Sequence, residues 1–225
     1  MTSAASPEAI PETGEWIIDG ESETQPVLIL AHGAGAGADT PFMTRMSAAI
    51  AARGVTVARF EFAYMRRRRL TGRRTPPPRA ERLAAEWRKA IAFWREQAKG
   101  RPLFIGGKSM GGRVASLIAD EFHATGAVRG LVCLGYPFHP PGRPERLRTA
   151  HLESLSCPAL FCQGDRDPFG SRSEVESLAL SPAIRFCWLP DGDHDFKPRV
   201  KSGETWEGNM QAAARCCSDF INALA

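Results

Sequence analysis

Three groups of residues in this sequence are of types and spacings that can do chemistry together. They are Gly107-Lys108-Ser109-Met110-Gly111, the aspartates of Gly164-Asp165-Arg166-Asp167-Pro168, and His194 in LPDGDHDF. A serine hydroxyl is a weak nucleophile until a base takes its proton, and the base needs an acid to fix its tautomer and orientation. Glycines two before and two after Ser109 suit a very tight strand-to-helix turn that lifts Oγ into the open, because side chains there would collide. Gly112 adds room. The order serine, aspartate, histidine along the chain is one in which such triads occur. Ser109 is therefore the expected nucleophile and His194 the expected base. Asp167 is the favoured acid, while Asp165, one residue past a strand end, can instead hold the turn through backbone amides. Asp191, Asp193 and Asp195 flank His194 too closely in sequence to be its usual orienting partner.

Acyl chemistry at a serine also needs two N–H groups for the oxyanion. Met110, directly after the serine, is expected to supply one. The second is expected from Ala34 in the small-residue loop AHGAGAG, with Gly33 and Gly35 shaping the turn. Lys108 has two readings of equal weight: it meets a substrate carboxylate, or it pairs with an acidic loop. Gly-Lys-Ser as a phosphate-binding loop fails, because the G-x-x-x-x-G-K-S spacing would need glycine where Pro102 stands.

These residues must be held by something, and the chain supplies a regular alternation. Near-continuous apolar runs (QPVLILA, VTVARFEF, PLFIGG, VRGLVCLGYP, PALFCQG and AIRFCWLP) alternate with segments of helical spacing, and GEWIIDG can add an edge strand. PFMTRMSAAIAARG reads as a helix with Asp39 or Thr40 as N-cap, and Arg79 to Lys99 as one with Leu83, Trp87, Ile91 and Trp94 on its core face. Ser109 to Phe122, SRSEVESLAL and the C-terminal stretch around Met210 and Phe220 read as further helices, with a short one expected between Glu145 and Leu155. Tyr64 to Pro78, with four consecutive arginines and PPP, reads as a loop. This pattern means a mostly parallel sheet covered on both faces, with ligands beyond the carboxyl ends of its strands. Each candidate residue follows an expected strand.

Composition sets the outer limits. The chain of 225 residues is 43% hydrophobic and 24% charged, the balance of one ordinary globular domain, expected over residues 15–225 behind a loose tail at 1–14. No run approaches the length of a membrane span, and the N-terminus has no basic-then-apolar signal. The six cysteines form no metal-ligand array, and several sit in apolar segments where a thiol acts as a small buried hydrophobe. That pattern fits a cytoplasmic protein without a disulfide framework, and neither cofactor nor metal is expected. The net charge of +4 is uneven, with fourteen Lys/Arg against four Glu between Arg59 and Arg101. Arg66, Arg67, Arg68 and Arg69 offer a solvated surface, or a face for an acidic partner or a homodimer mate. Nucleic acid is the weaker reading, since no stacking aromatics or nucleic-acid motif accompany them.

The stretches AHGAGAG, RFEFAYMRRRR, GGKSMGGRVAS, LGYPFHPPGRPERLRTAHL, QGDRDPFG and DGDHDF together resemble the α/β-hydrolase superfamily, in its dienelactone-hydrolase-related branch. Within it they are most similar to the small-hydrolase group of the testis-expressed Tex30-like proteins and the hydrolase-like region of KANSL3-type chromatin-complex subunits. The resemblance implies an α/β-hydrolase fold of about six or seven strands without a large lid domain. It also implies a nucleophile at Ser109, an acid at Asp167, a base at His194 and an oxyanion loop over His32 to Gly35. The expected activity is serine-dependent hydrolysis of a small carboxylic ester or related acyl substrate. The rival is a non-catalytic binding or scaffold protein on the same fold.

Overall fold

The computed structural model describes residues 15–225, so the tail expected at 1–14 lies outside the described residues. Its centre is a seven-stranded sheet. The strands are β1 (Ile17–Asp19), β2 (Val27–Ala31), β3 (Thr56–Phe60), β4 (Leu103–Lys108), β5 (Gly130–Leu134), β6 (Ala159–Gly164) and β7 (Ile184–Leu189). Their spatial order is β1-β3-β2-β4-β5-β6-β7, parallel except for β1, which runs antiparallel beside β3. Every expected apolar run is a strand. β2 to β6 are buried throughout, because helices cover both faces and no position needs to be polar.

On one face pack α1 (Pro41–Ala51) and α7 (Trp206–Asn222), against Leu28, Leu30, Phe104 and Val132. Thr40 caps α1 by accepting the Met43 N–H at 3.4 Å, and Pro41 fills its first position. The other face carries α3 (Ala80–Gln97), whose Leu83, Trp87, Ile91 and Trp94 enter the core together with α4 (Met110–Ser116). Full burial of each such side chain contributes roughly 1.5–3 kcal/mol.

Several segments differ from their expected form. The arginine run is a helix, α2 (Ala63–Thr71), closed by Gly72 in the left-handed conformation. Tyr64 and Met65 anchor it in the core, Arg69 pairs with Glu61 and Asp39, and Arg68 donates to the Gly35 carbonyl. The helix expected over Ser109 to Phe122 breaks near Leu117, giving α4 and α5 (Ala119–His123). Between Glu145 and Leu155 only a 3-10 turn forms, at Ala150–Leu152, and SRSEVESLAL keeps one turn, α6 (Arg172–Val175). Cys187 on β7 and Cys216 on α7 are disulfide-bonded, where the sequence suggests only buried thiols; Cys133, Cys157, Cys162 and Cys217 are free and buried.

The order of the strands fixes where a site can form. From β2 the chain steps one way to β3, then returns to the other side for β4, β5, β6 and β7. The loops leaving β2 and β4 therefore diverge, and a crevice opens between them at the carboxyl edge. Ala31 and Gly107 are register partners there. The connections between strands contain no inserted lid domain. No helix among the described residues is long and apolar enough to cross a membrane.

Candidate active site

Ser109 stands between β4 and α4 with φ +51° and ψ −115°, a conformation held by the crowding around it. A Cβ on Gly107 would lie 2.5 Å from the Ala31 carbonyl oxygen and 2.8 Å from the Gly111 carbonyl carbon. A Cβ on Gly111 would lie 2.5 Å from that same Ala31 oxygen. The glycine spacing read from the sequence is thus a packing requirement of the turn. The Ser109 N–H is fixed by the Leu134 carbonyl at 3.0 Å.

The turn presents Oγ at 2.9 Å from His194 Nε2, and His194 Nδ1 lies 2.8 Å from Asp167 Oδ2. Asp167 is the carboxylate brought to the histidine; Asp165 accepts only a long contact from the Asp191 N–H at 3.4 Å. Asp167 is fully buried. Its Oδ1 accepts the Phe169 N–H at 2.9 Å, and its Oδ2 also accepts Gln163 Nε2 at 3.0 Å. Gln163 itself is held by the Tyr136 N–H, donated to its Oε1 at 2.7 Å, and donates on to the Tyr136 and Gly170 carbonyls. The Phe169 ring lies 4.2 Å from the His194 ring. With Nδ1–H donating to a carboxylate, Nε2 is left as the acceptor facing the hydroxyl, an arrangement able to take a proton from Ser109.

Sequence reasoning missed Gln163 and Phe169. The available signal was slight: Gln163 is the only side chain with hydrogen-bonding heteroatoms other than sulfur in the strand ALFCQG.

Lys108 faces the loop that carries His194. It is 7% exposed, donates from Nζ to the His194 carbonyl at 2.6 Å and pairs with Asp195 Oδ1 at 3.4 Å. Burial pushes its pKa down, and Asp195 and Asp167 push it back up, with a net lowering. The path is kept open by Gly135, whose φ of +67° already favours glycine and whose Cβ would meet Lys108 Nζ and the His194 oxygen, each at 3.0 Å. The residue before the serine therefore tethers the backbone of the histidine.

The small-residue loop is held from behind. His32 is buried, and burial lowers its pKa. Its Nε2 accepts the Phe62 N–H at 3.2 Å, which leaves Nδ1 to donate to the Gly33 carbonyl at 2.6 Å. Tyr64 on α2 donates its hydroxyl to the Ala34 carbonyl at 2.9 Å, and Arg68 donates to the Gly35 carbonyl at 2.8 Å. Arg69 bridges Glu61 and Asp39, Arg66 donates to the Glu61 carbonyl, and Glu61 in turn accepts the Ala38 N–H at 2.9 Å. Three of the four consecutive arginines thus serve the Gly33–Asp39 loop or its supports instead of forming a free basic surface. Peptide bonds here are trans, so turning the Gly33 carbonyl toward His32 turns the Ala34 N–H the opposite way. Neither that N–H nor the Met110 N–H has an acceptor among the described residues.

Ser109 and His194 open onto a cleft of about 430 Å³ walled by Pro41, Phe42, Met43 and Trp206. The sequence profile of a family described as "Alpha/beta hydrolase domain" matches residues 24–222. The chain belongs to this α/β-hydrolase family.

Solved α/β hydrolases share its architecture. An alpha-beta serine hydrolase homologue from Coxiella burnetii is 16% identical, covers 93% of this chain and 91% of its own, and superposes with a TM-score of 0.66. Dienelactone hydrolase from Anabaena variabilis is 19% identical over 89% of this chain and 87% of its own, with a TM-score of 0.67. A serine hydrolase without a lid from Xanthomonas campestris is 20% identical over 90% and 88% of the two chains, with a TM-score of 0.61. At such identities the likeness speaks for the fold alone. What this α/β hydrolase does must be argued from its own side chains.

Proposed function

We propose that this α/β hydrolase is a serine hydrolase that cleaves a small carboxylic ester or related acyl substrate through an acyl-enzyme. The observation that carries the reading is the continuous hydrogen-bond chain from Ser109 Oγ through His194 to the buried Asp167. Ser109 attacks the carbonyl carbon while His194 Nε2 takes the hydroxyl proton, and Asp167 stabilises the imidazolium. The oxyanion is received by the N–H groups of Met110 and Ala34; removing one such donor typically costs about 3 kcal/mol of transition-state stabilisation. His194 then returns its proton to the leaving alcohol, and a water molecule deprotonated by His194 releases the acid and restores Ser109.

The short connections support a small or surface-accessible acyl group over a long lipid chain, and the apolar cleft walls fit an uncharged body. The motif strings support a place in the Tex30-like and KANSL3-like small-hydrolase group. The test is covalent labelling by a fluorophosphonate probe. Wild type is expected to label and Ser109→Ala to lose the label while keeping its fold. A folded wild type that does not label at Ser109 would favour the scaffold reading.

A further inference from the structure

Beside the apolar cleft, a second cavity of about 310 Å³ reaches Ser109 from the other side. The two share Ala34, Ser109 and Phe169, so a molecule placed at the serine can extend into both. Their chemistry differs. In the first, the buried cation Lys108 is consumed by Asp195 and the His194 carbonyl. The second is lined by Arg113 and Arg148, and neither guanidinium has an ion pair or hydrogen bond among the described residues.

Arg113 is one helical turn beyond Ser109, its N–H donating to the Ser109 carbonyl at 3.0 Å, so both side chains leave the same side of α4. Its Nε is buried without a hydrogen-bond partner. Burial and the charge of Arg113 both work against the protonated form of Arg148, so the two guanidiniums sit near one another with no anion between them. The neighbouring polar groups offer none. Tyr136 spends its hydroxyl on the Arg148 carbonyl at 2.9 Å. His151 is bonded to Ser116 Oγ at 2.8 Å and is pushed toward its neutral form by burial and by Arg113. Asp120 beyond it is taken up by the N–H groups of Ser156 and Cys157. Other partly or fully buried arginines have partners: Arg59 pairs with Asp19 and Arg166 with Asp191, while Arg53, Arg66 and Arg101 donate to carbonyls. Two half-desolvated like charges cost stability with nothing in the fold to offset them, unless a ligand brings the counter-charge.

We propose that Arg113 and Arg148 form an oxyanion subsite, so that the preferred substrate carries a carboxylate or phosphate group on one side of its scissile bond and an apolar body on the other. The planar guanidinium forks suit both anions. This inference rests on the reading of Ser109 as the nucleophile, and deepens it.

Two measurements test it. The first compares 4-nitrophenyl esters whose acyl chains differ only in a terminal carboxylate or carboxamide. Wild type is expected to favour the carboxylate by about tenfold or more in kcat/KM, the scale of a charge-assisted hydrogen-bond pair. Arg113→Gln and Arg148→Gln should each bring that ratio toward parity. The second is calorimetric titration of Ser109→Ala with adipate and with inorganic phosphate, which needs neither turnover nor an arginine variant. Adipate binding assigns the site to carboxylates, and phosphate binding alone assigns it to phosphate esters. Binding of neither anion, with an ester ratio near one, overturns the subsite, as does a preference that survives both arginine substitutions. A protein that binds an anion yet neither labels at Ser109 nor turns over keeps the subsite and loses the hydrolase reading.

Discussion

At the scale of single residues, the arrangement around Ser109 is governed by what each polar atom does with its second partner. His194 is oriented from three sides: Asp167 at Nδ1, the Phe169 ring beside it, and Lys108 at its carbonyl oxygen. Lys108 is the most costly of these, since a nearly buried ammonium loses much of its hydration and regains one short hydrogen bond and one longer ion contact. Replacing it with methionine removes that desolvation cost and leaves one carbonyl unpaired, two effects of opposite sign that are each about 1–3 kcal/mol or more. Lys108→Met should therefore melt within a few degrees of wild type. With the histidine backbone no longer tethered, kcat should fall by about tenfold while KM changes less. The pH dependence gives an independent reading. A lysine whose folded pKa lies below its ordinary 10.5 binds fewer protons folded than unfolded in that window, so its contribution to stability rises with pH there. Urea midpoints of wild type should gain on those of Lys108→Met as the pH climbs toward 10.5. A constant difference would mean that Lys108 is not desolvated.

At the scale of elements, α2 and the loop after β2 act as a pair. The Gly33–Asp39 loop is built from small residues with little side-chain packing of their own, and its carbonyls are secured by His32, Tyr64 and Arg68. Tyr64→Phe removes the hydroxyl that holds the Ala34 carbonyl and leaves the ring in the core, at a stability cost of about 1 kcal/mol. If that carbonyl aims the loop's N–H groups, kcat for a nitrophenyl ester should drop several-fold with KM nearly constant. Arg67→Gln, on the same helix but with no side-chain bond among the described residues, should leave both unchanged. Equal kinetics for the two variants would remove α2 from the machinery. This pairing also marks where the sequence ceased to be legible. Buried parallel strands announce themselves as continuous apolar runs, so β2 to β6 are legible directly, and the half-exposed edge strand β7 through its apolar residues. Four arginines in a row carry no such local signal. They form a helix because Glu61 and Asp39, brought by β3 and the loop after β2, supply counter-charges to Arg69, carbonyls accept from Arg66 and Arg68, and Tyr64 and Met65 supply the burial. Whether Asp165 or Asp167 faces His194 likewise depends on which way the chain turns after β6. Gln163 donates to Asp167 from within the strand.

At the scale of the whole molecule, two clusters of ion pairs brace the loops of the site. Arg69 joins Glu61 and Asp39 beside one loop of the site; Arg166 and Arg199 converge on Asp191 beside the loop that carries His194. The side-chain hydrogen bond from Arg69 holds Asp39 below its ordinary 3.8. Burial pushes Glu61 up, but Arg69 and the Ala38 N–H outweigh it and hold it below 4.5. Arg199 holds Asp191 well below the usual carboxylate range. Carboxylates with depressed folded pKa values contribute stability that is complete above their ordinary values and is lost as the pH falls through the folded ones. The arginines of these pairs are partly exposed, so each contribution is modest and salt-sensitive, but they converge on the two loops that frame Ser109. The urea midpoint should accordingly hold steady down to about pH 5 and decline progressively below it. In Arg69→Gln combined with Arg199→Gln the protein should start less stable and decline less steeply, because the carboxylates then titrate near their unfolded values in both states. Parallel declines in the two proteins would show that the acid response arises elsewhere and that these ion pairs do not set it.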